Sequence, residues 1–129
     1  MTELGEKAER LIREPNLGHL ATLMADGSPH VTPVWVDLED GRVVVNTAAG
    51  RVKERNMRRD PRVALSIVSN SDPYDKVSIR GRVVDIRDGD EAERHIDKLA
   101  KKYIGRDVYP NHRADEPRLI VEIEPESVF

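Results

Sequence analysis

Residues 18–36 read GHLATLMADGSPHVTPVWV, and this stretch decides the fold class. Apolar residues recur on both sides of Asp26-Gly27, a pair that is typical of a tight β-hairpin turn. We therefore predict a strand over 18–24 and a return strand over 30–36. Proline cannot donate a hydrogen bond to a sheet, so Pro33 inside the second strand indicates a sheet edge or a bulge.

The rest of the chain continues this pattern of short strands. Four more strands are predicted, over 42–47, 63–68, 76–87 and 119–123. Asp40-Gly41 is a second hairpin signal, so the first third of the chain is predicted to be a β-meander. Three helices are predicted, over 3–13, over 48–57, and from a capping-box-like start at Asp90 and Glu93 to Gly105. Residues 106–117 are polar and are predicted to form a loop.

This succession of elements predicts a mainly β protein with peripheral helices. Six to seven antiparallel strands form a barrel, and Gly81 in the middle of a strand indicates a bend or bulge. The length of 129 residues and the lack of an internal linker predict a single domain over residues 1–129. A low apolar content of 38% suggests that part of the apolar surface is buried between subunits.

Composition excludes several classes of function. The chain has no cysteine, which excludes disulfides, thiolate metal sites and cysteine nucleophiles. Its four histidines lie far apart in sequence, so no metal site is predicted. No window approaches the roughly 18 apolar residues of a membrane span. The first residues are charged rather than typical of a signal peptide, and we expect a cytoplasmic protein.

Positive charge is concentrated in one segment of an acidic chain. Residues 51–62 hold six basic and two acidic residues, whereas the other positions hold 15 basic and 22 acidic ones. Arg51 and Arg55 lie one helical turn apart, and Lys53 lies within reach of the start of the predicted helix, which contains Gly50. This pattern predicts a phosphate site. A solvated helix face is the alternative; contact with nucleic acid is disfavoured because the patch is short and carries no interleaved aromatic residues.

Three other segments are candidates for a binding site. Pro33 in the run 32–35 leaves backbone groups free for a planar heterocycle, although Trp35 could equally pack in the core or at a subunit contact. Asn46-Thr47 ends an apolar strand beside the basic helix, where Thr47 could cap that helix or contact a ligand. Tyr74 and Lys76 follow an evident loop, where an exposed tyrosine is the common case.

Two runs together resemble a known family. The run LATLMADGSPHVTPVW over 20–35 and the run NTAAGRVKERNMRRDPR over 46–62 are similar to the opening and the phosphate-binding segment of the pyridoxamine 5′-phosphate oxidase-like split β-barrel proteins. Within that family the chain looks like the short deazaflavin (coenzyme F420)-dependent reductases of actinobacteria and related bacteria. The resemblance covers about residues 5–125.

The resemblance implies an FMN-binding type of split β-barrel that works as a homodimer, with two cofactor sites at the interface. The cofactor phosphate would be held by Arg51, Lys53 and Arg55, with Asn56 nearby. The residues along the deazaflavin ring would be Pro33, Val34 and Trp35, and those on its ribityl side Asn46 and Thr47. Tyr74 and Lys76 match a position that offers a residue to the ring or to the substrate, and they are the candidates for a catalytic role.

The function that this resemblance implies is an F420-dependent oxidoreductase. It would transfer a hydride between reduced deazaflavin and an unsaturated small molecule, because the chain shows no nucleophile–base pair or metal cluster of its own. One alternative is an FMN-dependent oxidoreductase of the same fold. Another is a non-catalytic protein that binds a flavin, deazaflavin or haem. The sequence does not identify the natural substrate.

Overall fold

Seven antiparallel strands form one strongly curled sheet, and three helices pack around it. The computed structural model describes residues 2–129. The helices are α1 (Glu6–Arg13), α2 (Val52–Arg59) and α3 (Asp90–Ile104). The strands are β1 (Gly18–Leu23), β2 (Pro29–Val34), β3 (Val36–Glu39), β4 (Arg42–Ala48), β5 (Arg62–Val68), β6 (Lys76–Arg87) and β7 (Arg118–Val128). Their order across the sheet is β2-β1-β5-β6-β7-β4-β3, which confirms the predicted mainly β split barrel.

The connection at Trp35 closes the barrel. The predicted return strand over 30–36 is wrong in its end, because β2 stops at Val34 and β3 begins at Val36. These two strands are the opposite edges of the sheet, so the predicted meander is also wrong. Consecutive residues lie only about 3.8 Å apart, so the two edges must approach each other here. Pro33 lies on edge strand β2, as its missing N–H predicted.

The two faces of the sheet bury different side chains. Val43 and Val45 of β4 point into the barrel, where Leu11 and Ile12 of α1 join the same apolar cluster. Between them, Val44 points outward and packs with Ala92 of α3 and Ile120 of β7. This arrangement explains why β4 is buried on both faces. Each fully buried aliphatic side chain of this size contributes about 1.5–3 kcal/mol to stability.

A bulge in β6 bends the sheet where the sequence indicates it. The pairing of β6 with β7 shifts register between Arg80 and Gly81 and again between Val83 and Asp85. A Cβ atom at Gly81 would lie 2.7 Å from the carbonyl oxygen of Glu124, so the two strands approach too closely for a side chain here. Glycine is therefore required at this position by the close pairing of β6 with β7.

Helix α3 starts differently from the prediction. The residue that caps it is Gly89, with a φ of 83°, and it makes no side-chain cap. The capping box at Asp90 and Glu93 is therefore wrong, because Glu93 instead accepts the backbone N–H of Arg118 at 2.6 Å. The helix ends at Ile104 and is followed by Gly105 in the left-handed conformation, as predicted. None of the helices within residues 2–129 has the length and apolarity to span a membrane.

Candidate functional site

A cavity of about 260 Å³ opens where the two sheet edges meet. Its walls come from the β2–β3 connection, the end of β4, the start of α2, helix α3 and the loop before β7. Seven of the nine residues that the sequence assigns to a cofactor line it: Pro33, Val34, Trp35, Asn46, Thr47, Arg51 and Lys53. Two segments that are separate in sequence therefore face the same space, because the curling of the sheet brings β4 into contact with edge strand β2.

One wall of the cavity is aromatic. The indole of Trp35 stacks on Tyr103 of α3 with ring centres 5.2 Å apart and an angle of 4° between the planes. Tyr109 approaches the same indole edge-on, with ring centres 5.8 Å apart. The Tyr103 hydroxyl is anchored in turn, since it donates to the carbonyl of Asn16 at 2.7 Å. These contacts hold Trp35 as a rigid surface beside the open space.

A second group of lining residues is cationic. Burial lowers the pKa of the Lys53 ammonium, and the charges of Arg51 and Arg118 lower it further. Within residues 2–129 no carboxylate lies at ion-pair distance from Lys53. Arg51 has only a loose and partly exposed pair with Glu116, at 3.7 Å, and such pairs contribute little. The cavity therefore has an excess of positive charge, and an anion entering it would relieve the repulsion among these groups.

Arg118 belongs to the same cationic group but is held more firmly. It is 8% exposed, and burial lowers the pKa of its guanidinium. Its Nε donates to Asn46 Oδ1 at 2.8 Å, and its guanidinium carbon lies 5.2 Å from the centre of the Tyr109 ring. Asn46 thus presents its oxygen to Arg118 rather than to the open space. Thr47 is buried in β4 and does not cap α2, whose capping residue is Arg51.

Arg55 and Asn56 lie outside the cavity. The Arg55 guanidinium turns back to donate to the carbonyl of Gly50 at 2.7 Å. Asn56 is buried beneath the helix and donates to Thr22 Oγ1 at 3.0 Å. The N–H of Gly50, a natural donor to an anion, is bonded to the carboxylate of Glu54 at 2.5 Å. Neither residue lines the cavity, so the role of Arg55 and Asn56 in binding a cofactor stays a prediction.

Tyr74 and Lys76 also lie away from the cavity. Tyr74 is 85% exposed in the loop between β5 and β6, and Lys76 is exposed at the start of β6. Neither residue lines the space beside Trp35. Their catalytic role therefore stays a prediction, and it requires a surface that another subunit supplies.

Four residues of the cavity were missed by the sequence analysis: Leu17, Ile96, Tyr109 and Arg118. Arg118 begins an apolar strand, and a basic residue in that position is usually interpreted as exposed. Its place follows from register, because β7 pairs with β4 and sets Arg118 opposite Ala48. Tyr109 is the one aromatic residue of the polar loop 106–117, and this contrast is the signal that could have singled it out.

Comparisons with known proteins agree with this architecture. The family model described as pyridoxamine 5′-phosphate oxidase matches residues 4–129. A protein named F420H(2)-dependent biliverdin reductase, from Mycobacterium tuberculosis (strain CDC 1551 / Oshkosh), is 30% identical over 99% of this chain and 88% of its own. A solved structure named F420 reductase has a TM-score of 0.84 at 30% identity, covering 94% of both chains. A conserved hypothetical protein of Mycobacterium tuberculosis has a TM-score of 0.74 at 26% identity, covering 99% of this chain and 82% of its own.

Proposed function

Because this chain belongs to the pyridoxamine 5′-phosphate oxidase family, we propose that it is an oxidoreductase that uses coenzyme F420 to reduce an unsaturated small molecule. The two relatives at 30% identity that are named as F420-dependent or F420 reductases support an oxidoreductase of this kind. The observation that carries the proposal is the half-buried Lys53. It has no carboxylate partner within residues 2–129 and lines the same cavity as the Trp35 indole.

The residues of the cavity fit a molecule with an anionic tail and a planar ring. Arg51, Lys53 and Arg118 would hold the phosphate, since guanidinium and ammonium groups are the usual phosphate ligands of proteins. Pro33 and Trp35 would lie along the ring. The volume of about 260 Å³ is slightly below the usual range for a ligand pocket, so it suits one ring system and not a whole cofactor with its substrate.

F420 in its reduced form supplies a hydride when it is bound, and the protein supplies binding and orientation. Trp35, which is clamped by Tyr103, gives the ring a fixed surface, and Asn46 keeps Arg118 aimed into the site. Holding two reactants in a fixed geometry accounts for a large part of the barrier reduction in such reactions. Tyr74 and Lys76, reaching in from a second subunit, are our candidates for contact with the substrate.

We propose that the working form is a homodimer. The outer face of β1, β5 and β6 carries a second, shallow and largely apolar depression of about 230 Å³. Its rim exposes Val31 by 59% and Phe129 by 73%, although both side chains are large and apolar. Exposed apolar groups clustered around small residues are typical of a subunit contact.

Titration tests the proposal directly. The purified protein is mixed with F420 and, separately, with FMN, and the quenching of cofactor fluorescence is followed. We expect saturable binding of F420 and none of comparable strength for FMN. No saturable F420 binding below about 100 μM, a limit that corresponds to a very weak complex, would refute the proposal. Tight binding of FMN alone would favour the FMN-dependent alternative.

The substrate is tested after the cofactor. Biliverdin is the first compound to assay with reduced F420, because one relative is named for its reduction. Quinones and enones follow, since each offers an unsaturated carbon to a hydride. Oxidation of F420 that depends on one of these compounds is the expected result. Tight F420 binding without turnover of any compound would favour a non-catalytic binding protein.

A further inference from the structure

Two contacts fix the orientation of the Asn46 amide behind the cationic group. Its Nδ2 lies 3.0 Å from the carbonyl oxygen of Ala92, and its Oδ1 lies 2.8 Å from Nε of Arg118. A carbonyl can only accept a hydrogen bond and a guanidinium can only donate one. The two ends of the amide are therefore assigned by their partners.

A third contact of Asn46 fixes the tautomer of His95. Nδ2 of Asn46 lies 3.1 Å from Nδ1 of His95. Since Nδ2 is the donor, Nδ1 must be the acceptor, and the ring proton of neutral His95 lies on Nε2. This Nε2 is buried and faces Asp37 Oδ2 at 3.6 Å, with no hydrogen bond of its own in residues 2–129.

Asp37 keeps a negative charge on that side of His95. Burial raises the pKa of its carboxyl, but the contacts with His95 and Lys98 outweigh burial, and the pKa is lowered overall. Oδ2 lies 3.0 Å from Nζ of Lys98, and Oδ1 accepts the N–H of Leu38 at 2.9 Å. A carboxylate in this place favours a proton on Nε2, and so leaves Nδ1 free to accept from Asn46.

We propose that His95 is a positioning residue for the anion site. It does not line the cavity, but together with the Ala92 carbonyl it accepts from Asn46 and so helps to hold the Asn46 oxygen on Arg118. The guanidinium of Arg118 is buried, so its Nε–H needs an acceptor, and the Asn46 oxygen supplies one at 2.8 Å. That the anion is the phosphate of F420 rests on the function proposed above; the hydrogen-bonded arrangement does not.

The competing explanation is that the His95 side chain only fills space between α3 and the sheet, since His95 is 7% exposed. Two substitutions separate the explanations. His95→Asn can place an amide oxygen near the position of Nδ1 and so keeps an acceptor for Asn46, but it removes the ring. His95→Leu keeps more of the volume and removes the acceptor. A space-filling role predicts that Leu is the better substitute, and a positioning role predicts that Asn is.

The first readout needs no cofactor. Side-chain NMR of isotope-labelled wild-type protein should show His95 with its proton on Nε2 and should show the Arg118 Nε–H protected from exchange with water. The protection should persist in His95→Asn and be reduced in His95→Leu, where the Ala92 carbonyl is the one acceptor left to the Asn46 amide. A proton on Nδ1 in the neutral wild-type ring would overturn the proposal without any variant, and so would equal Arg118 protection in the two variants.

The second readout is the dissociation constant of F420 by fluorescence quenching, with thermal melting of each variant measured alongside. We expect binding about tenfold weaker in His95→Leu and within about twofold of wild type in His95→Asn. Equal affinities of the two variants would overturn the proposal. If wild-type protein binds no F420, the proposed function fails, and the Arg118 exchange measurement still decides the role of His95.

Discussion

Replacing Lys53 by methionine should weaken cofactor binding and at the same time stabilise the fold. Methionine is unbranched, apolar and only one heavy atom shorter than lysine, so the substitution removes little besides the charged group. In the folded protein burial lowers the pKa of Lys53, with Arg51 and Arg118 adding to the effect. A lysine whose pKa is lower when folded than when unfolded destabilises the folded state at neutral pH. Its removal should therefore raise the free energy of unfolding.

The loss of affinity can be estimated from the contacts. A hydrogen bond to a charged group contributes about 1.5–3 kcal/mol, and the half-buried state of Lys53 places it near the lower figure. That corresponds to roughly tenfold weaker binding. Arg51 is half exposed and shares its charge with Glu116, so Arg51→Met should cost less than about 1 kcal/mol. Lys53 should thus matter more than Arg51.

The assay pairs F420 fluorescence quenching with urea unfolding for each variant. Lys7→Met is the matched control, because Lys7 lies exposed on α1 and its loss changes the net charge by the same amount. The control should leave both affinity and stability close to wild type. Unchanged affinity in Lys53→Met would remove Lys53 from the anion site, and an equal loss in Lys7→Met would show that net charge alone was measured.

Three further predictions concern other parts of the molecule. Gly81→Ala should lower the free energy of unfolding by about 1–3 kcal/mol in urea, because its Cβ would meet the Glu124 carbonyl; an unchanged midpoint would contradict the crowding. Tyr109→Leu should weaken F420 binding about two- to fivefold by removing the ring beside Arg118, whereas Tyr109→Phe should not; equal effects would assign the loss to the hydroxyl. Burial lowers the pKa of Lys102 to about 8, so stability should rise with pH between about 8 and 10, and Lys102→Met should flatten that rise; parallel pH curves would refute this.

Local pattern predicted most of the secondary structure. The alternation of Val77, Ile79 and Val83 located β6 with both of its ends, and the Asp26-Gly27 pair located the first hairpin. Errors arose where one run of sequence serves two strands. The run 30–36 has β-forming residues at both ends and no turn signal after Pro33, so nothing in it shows that the chain leaves one sheet edge at Val34 and joins the other at Val36.

The site was predictable where it is local and unpredictable where it depends on distant pairing. Arg51 and Lys53 are recognisable because basic residues follow a glycine at a helix start. Arg55 belongs to the same motif, yet it turns away to the Gly50 carbonyl. A motif gives the types of residue at a helix start, but the direction of each side chain depends on what packs around the helix.

The sequence by itself determined that this is a mainly β protein with a low apolar content and with its positive charge concentrated in one segment. That information is carried by neighbours along the chain, through side-chain alternation and turn chemistry. Only the tertiary structure decided that Arg118 joins this charge and that Trp35 lines the same cavity. The reason is physical: the register of β4 with β7 and the closing of the sheet at Trp35 are set by the packing of residues far apart in sequence. A cavity exists only between such residues, so no single stretch of the chain encodes it.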